Sequence, residues 1–333
     1  MILLVGHGSE TENNPHAAGL DCGASGGHSG EVNARLLASL LNDPAIRAGL
    51  LLRGLAIPST THVLGALHNT TTDEVTIFDA ELTPQSHTAD LMQLEKWMAQ
   101  AGDRARRERA ASVSICESQS RSSKELLRLF QKRSHDWSQV RPEWGLANNA
   151  AFLIAPRARS RGLDLQGRVF LHEYQSVLDP DGAVLEAIMT APMLVTNWIN
   201  MQYYASTVDN RLYGSGNKVL HNVVGGRLGV FEGNGGDLRI GLPLQSLHDG
   251  QTLRHTPLRL SVFIEAPQSA IDIILTKHEV VRSLVDNAWI HLLQITPGSE
   301  SISRYRNGRW VPIEGSEVIT GQSAKKVSEE SYA

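Results

Sequence analysis

The residues best suited to chemistry lie in the run Val5-Gly-His-Gly-Ser-Glu-Thr-Glu-Asn-Asn-Pro-His-Ala-Ala-Gly-Leu-Asp-Cys-Gly-Ala-Ser-Gly-Gly27. His7 stands between two glycines, which let a ligand approach the backbone closely. Cys22 follows fifteen residues later, again before a glycine. A neutral imidazole and a thiolate are both good zinc donors, held at about 2.0 and 2.3 Å from the metal. A catalytic zinc takes three protein donors and keeps one position open, or four when an inner donor is displaced during the cycle. Only His7 and Cys22 are persuasive here. Asp21, His16 and His28 are close in sequence, but Asp21 adjoins Cys22 and would ordinarily point elsewhere. Spacing alone leaves two readings open: half of a metal site, or the commoner case of a satisfied loop histidine beside a buried cysteine.

The elements that must position this loop can be read around it. Residues 2–5 are an apolar run closed by Gly6, the pattern of a buried strand. Residues 6–30 are glycine-rich and too long for an ordinary connection, so a functional loop is expected. Residues 31–41 place Val32, Leu36, Leu37, Leu40 and Leu41 on one helical face, and Asn42-Asp43-Pro44 stops the helix. Residues 62–67 and 75–78 read as two further strands. The order strand, loop, helix, strand predicts an α/β layer with the loop at a strand's carboxyl end.

The rest of the chain bounds the function class. Its 333 residues are 41% apolar and 20% charged, ordinary for a folded protein of about two domains. The net charge of −4 argues against a nucleic-acid binder. Two cysteines exclude a disulfide scaffold and fit a reducing compartment. The nearest approach to a membrane span, residues 183–205, carries Glu186, Pro192, Asn197, Asn200 and Gln202, so it reads as buried core. The apolar start has neither the basic flank nor the cleavage site of a signal peptide.

Between residues 103 and 133 nine Lys/Arg face four Asp/Glu. A solvated helix face is expected there, in preference to an arm touching an anionic partner or lipid headgroups. Strands are predicted at 151–155, 169–171, 258–264 and 289–295, with helical spacing over 270–285. The expected layout is an α/β region at 1–100, a basic helical connector at 101–140, a second globular region at 141–312 and a disordered tail at 313–333. Asp73 and Glu74 are expected to be a loop cap, Trp198, Tyr203 and Tyr204 core, and Cys116 partly buried. The glycines at 225–226 and 233–236 match no nucleotide-binding pattern and read as turns.

Longer strings carry a family resemblance. The run from His7 to Ala24, continuing through Gly30-Glu-Val-Asn-Ala-Arg35, closely resembles the DabA family. So do Ala66-Leu-His-Asn-Thr-Thr-Thr-Asp-Glu74, Arg141-Pro-Glu-Trp-Gly-Leu146, Ile188-Met-Thr-Ala-Pro192 and Gln202-Tyr-Tyr-Ala-Ser-Thr-Val-Asp-Asn210. His221-Asn-Val-Val-Gly-Gly226 and Glu232-Gly-Asn-Gly-Gly-Asp-Leu-Arg-Ile-Gly-Leu-Pro243 extend the likeness. The family is that of the zinc-binding subunit of a bacterial energy-coupled inorganic carbon pump.

The resemblance implies an α/β fold: a β-carbonic-anhydrase-like zinc half-domain followed by a second α/β or α+β part. It implies His7 and Cys22 as two metal ligands for Zn2+, with the other two supplied by a Cys-x-Asp motif that this chain lacks. His68 and His221, inside family-like strings, are candidates to support those ligands from behind. Ser25 stands where family members commonly carry another cysteine. The likeness is to the carboxyl-terminal part of longer proteins, so a split gene or a truncated reading frame is expected, with hydration of carbon dioxide only if the missing half is supplied. The implied partners are the membrane antiporter-like subunit DabB and a separate chain carrying Cys-x-Asp, with no nucleic acid. The implied location is peripheral, on the cytoplasmic face of the bacterial inner membrane. A non-catalytic scaffold fragment docking on the membrane subunit is the alternative. A stand-alone metal chelatase, which also places Val-Gly-His-Gly-Ser at a strand end, is a distant third.

Overall fold

The computed structural model describes residues 1–10, 28–136, 146–214, 220–222, 230–232, 241–242, 244 and 247–313. In chain order the elements are β1 (Ile2–Gly8), α1 (Glu31–Asn42), α2 (Pro44–Leu52), β2 (Val63–Asn69), β3 (Glu74–Ile77), α3 (Thr88–Arg109) and α4 (Ser123–His135). There follow β4 (Ala151–Ala155), β5 (Val169–Glu173), α5 (Ala183–Thr190), α6 (Pro192–Val208), α7 (Asn210–Tyr213), β6 (Leu220–Asn222) and β7 (Val230–Glu232). The last are β8 (Leu260–Glu265), α8 (Gln268–Lys277), α9 (Glu279–Asp286), β9 (Ile290–Ile295), β10 (Ile302–Arg306) and β11 (Arg309–Pro312). The chain is mixed α/β, in two compact units: residues 1–148 with 201–258, and residues 149–200 with 259–333.

In the first unit β1 pairs parallel with β2, and β2 pairs antiparallel with β3, so β1 is an edge strand among the described residues. Helix α1 crosses β2 closely because small residues meet there: a Cβ on Gly65 would sit 3.0 Å from the Ala34 backbone. Ala34 and Ala38 are the buried residues of α1. The apolar face expected to form its core contact is turned the other way: Val32, Leu36, Leu37 and Leu40 are all exposed. Close packing on a glycine-bearing strand selects small side chains, which hydrophobic periodicity cannot weigh. Asp43 accepts from the N–H groups of Ala45 and Ile46 at 2.7 and 3.0 Å, so the stop of α1 is also the N-cap of α2, with Pro44 in its first turn. Ser122 caps α4 by accepting from Glu125 N–H at 3.2 Å. Ala110, Val113, Leu126 and Phe130 form a small core between α3 and α4.

The second unit holds a six-stranded sheet in the order β11-β10-β9-β8-β4-β5, parallel from β9 to β5 and antiparallel at β10 and β11. Its core is built from Phe152 and Ile154 of β4, Leu260, Val262 and Ile264 of β8, and Ile290 and Leu292 of β9. Helix α5 adds Leu185, Ile188 and Met189, and α8 adds Ile271, Ile274 and Leu275. The apolar segment 183–205 is thus core in its first half, and among the described residues no helix is long and apolar enough to cross a membrane. The helical spacing over 270–285 is cut at His278, which is extended and whose Nε2 lies 2.8 Å from Glu186 Oε1. Tyr203 is buried as expected, whereas Trp198 is exposed, and Cys116 is exposed rather than partly buried. The expected disordered tail and the glycine turns at 225–226 and 233–236 fall outside the described residues, apart from Ile313.

Candidate functional site

His7 sits one residue before the end of β1, at the carboxyl edge of the parallel pair, where α/β sheets bind ligands. The chain must pass Gly30 closely at this point. A Cβ on Gly6 would fall 2.4 Å from the Gly30 carbonyl oxygen, and Gly30 N–H donates to the His7 carbonyl at 2.7 Å. The His7 side chain is left exposed. Its register partner on β2 is His68, and in-register residues of parallel strands project to the same sheet face about 4.8 Å apart. The register therefore sets the two histidines at neighbouring positions on one face of the sheet.

Behind His68 lies a network that sequence reasoning missed. The turn after β2 places Asp73 in the left-handed region at φ 56°, with Thr71, Thr72 and Asp73 buried. Asp73 Oδ1 is 3.2 Å from His68 Nε2, and Asp73 Oδ2 accepts from Arg109 Nε at 2.6 Å. Arg109 also donates to the Thr71 carbonyl and stacks over the Phe130 ring at 4.4 Å. Arg106, buried, donates to the Thr72 carbonyl at 2.7 Å. Helix α3 reaches the turn only because residue 102 is glycine, since a Cβ there would lie 2.2 Å from the Asp73 carbonyl oxygen. Gly102, Arg106 and Arg109 recur at helical spacing on one face of α3. That i, i+4, i+7 pattern was the available signal, hidden because the segment's charge reads as a solvated surface. For Arg106 and Arg109 that expectation is corrected: they grip a buried turn. Asp73 is correspondingly more than a loop cap.

Burial alone would push the Asp73 carboxyl up, but the His68 hydrogen bond and the Arg109 guanidinium outweigh it and hold it below the usual carboxylate range. An ionised carboxylate only accepts, so the proton between them sits on His68 Nε2 and the ring turns Nδ1 away from Asp73. Carboxylates hold metal-ligating histidines in this way, fixing tautomer and ring orientation. The turn is also tied to the strand end of β1. Glu10 N–H donates to Thr71 Oγ1 at 3.0 Å, Asn69 Nδ2 donates to Glu10 Oε2 at 2.9 Å, and Thr70 N–H donates to the Gly8 carbonyl at 2.8 Å.

Of the site residues expected from the sequence, His7 and His68 fall at paired register positions of β1 and β2. Cys22, His16 and Asp21 lie outside the described residues. His221 is in β6, paired in register with Phe231 of β7. Among the described residues no group of three or more His, Cys, Asp or Glu is placed to hold a metal.

The comparisons with known proteins agree on one family. The family model described as "Probable inorganic carbon transporter subunit DabA" matches residues 1–290. A protein of that name from Methylovorus glucosotrophus is 58% identical over 314 residues, 94% of this chain and 36% of the relative. One from Hydrogenovibrio crunogenus is 55% identical over 310 residues, 93% of this chain and 36% of the relative. One from Vibrio cholerae is 54% identical over 321 residues, 94% and 37% respectively. The chain thus spans little more than a third of the length of these relatives. No solved structure matches it. A family model matched over residues 1–290, and relatives more than half identical over nearly all of this chain, place it in the DabA family of probable inorganic carbon transporter subunits.

Proposed function

We propose that this chain is the portion of an inorganic carbon transporter subunit that supplies His7 and Cys22 to a carbonic-anhydrase-like zinc site completed by donors from outside it. The observation that carries the reading is the presentation of His7. It is exposed at the carboxyl end of a parallel strand, freed by the Gly6–Gly30 crossing. The donor set fits zinc in kind, an imidazole and a thiolate, and falls short of it in number, which is why the other donors are assigned elsewhere. When bound, zinc would supply a water acidified to about pKa 7, competent to attack carbon dioxide.

The chain's own residues have narrower tasks. His7 would act as a donor from a strand end, where glycine at 6 and 30 lets the chain cross closely. His68, oriented by Asp73 and Arg109, supports the same face. The whole subunit works with a membrane antiporter-like partner, DabB, at the cytoplasmic face of the inner membrane, and this chain contributes no membrane-spanning helix among its described residues. The second reading, a non-catalytic scaffold on the membrane subunit, draws support from the lack of a three-donor group among the described residues.

Zinc content and carbon dioxide hydration separate the two readings. The purified chain alone should hold little zinc and turn over negligibly, and co-expression with a chain bearing Cys-x-Asp should restore zinc. Tight stoichiometric zinc with robust turnover from the chain alone would refute the divided site. No zinc in either preparation would favour the scaffold.

A further inference from the structure

The first unit exposes a surface that its own sequence treats as interior. The Ile2-Leu-Leu-Val5 run is the near-continuous apolar pattern of a parallel strand buried on both faces. Among the described residues β1 is nevertheless an edge strand, with Ile2 43% and Val5 49% exposed. Ile2 N–H donates to the His62 carbonyl at 2.9 Å and the Gly8 carbonyl accepts from Thr70, so the even-numbered residues of β1 face β2 and the odd-numbered ones face outward. At His7 the outward carbonyl is taken by Gly30. The outward N–H and C=O groups of Leu3 and Val5 have no partner among the described residues. They form an open template for another strand.

Helix α1 extends the same message. Its buried residues are two alanines, and its bulk faces solvent: Val32 is 72% exposed and Leu36 56%. Helix α2, in contact with α1, and the segment after it add exposed Leu51, Leu52 and Leu55. Arg35, paired with Glu31 at 3.2 Å and Asp79 at 3.1 Å, places polar groups next to these leucines, as in an interface with an apolar centre and polar rim. An apolar surface of this extent marks a docking site.

We infer that the free edge of β1 and the outer face of α1 are the docking surface for the remainder of a DabA polypeptide, which adds a strand alongside β1 and covers the leucines of α1. The occupant follows from the comparison of lengths. Relatives more than half identical to this chain along nearly all of it carry the same unit within proteins of which it is about 36%, so most of their mass is available to cover such a face. The inference rests on the divided-site reading for its biological purpose, since a strand added here lies beside the one that delivers His7. Its physical basis is independent of zinc.

The test co-expresses the full chain with the part of the Methylovorus glucosotrophus relative outside the matched residues, each carrying its own tag. Co-purification at equal amounts is expected. Leu36→Asp with Leu40→Asp, and separately Leu3→Pro, which removes an outward donor and leaves the pairing with β2 intact, should reduce capture by at least about tenfold, since each attacks buried apolar contact or strand pairing. His7→Ala should leave capture unchanged while lowering zinc, so failure of the interface and failure of the metal site are read separately. Three outcomes overturn the inference: unimpaired capture by both the aspartate and proline variants, a self-dimer of the chain alone that the aspartates dissolve, or binding of the chain to anionic vesicles that the aspartates abolish. Should the separate segment prove insoluble, the full-length relative is given aspartates at the positions aligned with Leu36 and Leu40. Limited proteolysis that newly releases the two parts supports the inference, and an unchanged pattern overturns it.

Discussion

The two larger sheets among the described residues are built to different standards of closure. In the second unit the parallel strands β4, β8 and β9 bury apolar residues of one face against α5, α8 and α9. The carboxyl ends of β4 and β8, where strand order reverses and such sheets usually bind ligands, are taken up by an ion pair. Arg159 Nε meets Glu265 Oε2 at 2.5 Å and Arg159 Nη2 donates to the Ser299 carbonyl at 2.8 Å. In the first unit the corresponding end of β1 presents an exposed imidazole, and the edge and helix beside it expose leucine, isoleucine and valine. One sheet buries an apolar face against its own helices; the other leaves its edge strand and the bulk of α1 exposed among the described residues.

Substitutions can break or sharpen that contrast. The largest effect is expected in the closed sheet. Ile264→Ala removes a fully buried side chain and should cost about 2–5 kcal/mol, whereas Leu36→Ala on the open layer should change the stability of the chain alone by less than about 0.5 kcal/mol. Denaturant unfolding measures both, and equal costs would erase the distinction. Next is Gly102→Ala, which drives a Cβ toward the Asp73 carbonyl. A loss of about 1–3 kcal/mol is expected from forced displacement of α3, with faster amide exchange over residues 70–73. An exchange pattern confined to α3 would show that the turn does not depend on this crossing.

A smaller effect is expected at the carboxylate itself. Asp73→Asn leaves Arg109 without its charged partner and should cost about 1.5–2 kcal/mol, the low end for a charge-assisted hydrogen bond because the Arg109 guanidinium is partly exposed. It should also release the His68 tautomer, visible as a change in ring-nitrogen chemical shifts; unchanged shifts would mean that the carboxylate does not set the tautomer. The pH dependence has a defined sign. Because Asp73 is depressed in the folded state, its stabilisation is complete above the unfolded carboxylate pKa of about 3.9 and is lost as pH falls through the lower folded value. Acid unfolding of Asp73→Asn should therefore be less steep in that window than that of the parent.

Much of this was legible in the amino-acid order. The strand delivering His7, the helix after the glycine-rich loop and the strand at 151–155 follow from apolar runs bounded by glycine, proline and asparagine. The family follows from long strings spread along the chain. What escaped was physics that a one-dimensional pattern does not hold. The apolar stripe of α1 gives the helix but not which side faces β2, because the deciding contact is Gly65 against Ala34. Arg106 and Arg109 look like solvated charges until the turn at Thr70 to Asp73 supplies carbonyls and a carboxylate for them. His68 is singled out by the family-like string that holds it, but only the register sets its position opposite His7.

X-ray absorption at the zinc edge, on the chain co-purified with its complementary part, tests the divided metal site most directly. A coordination shell of mixed nitrogen and sulfur donors is predicted, losing a nitrogen scatterer in His7→Ala and a sulfur scatterer in Cys22→Ser. A zinc shell identical in the parent and in both variants would contradict it.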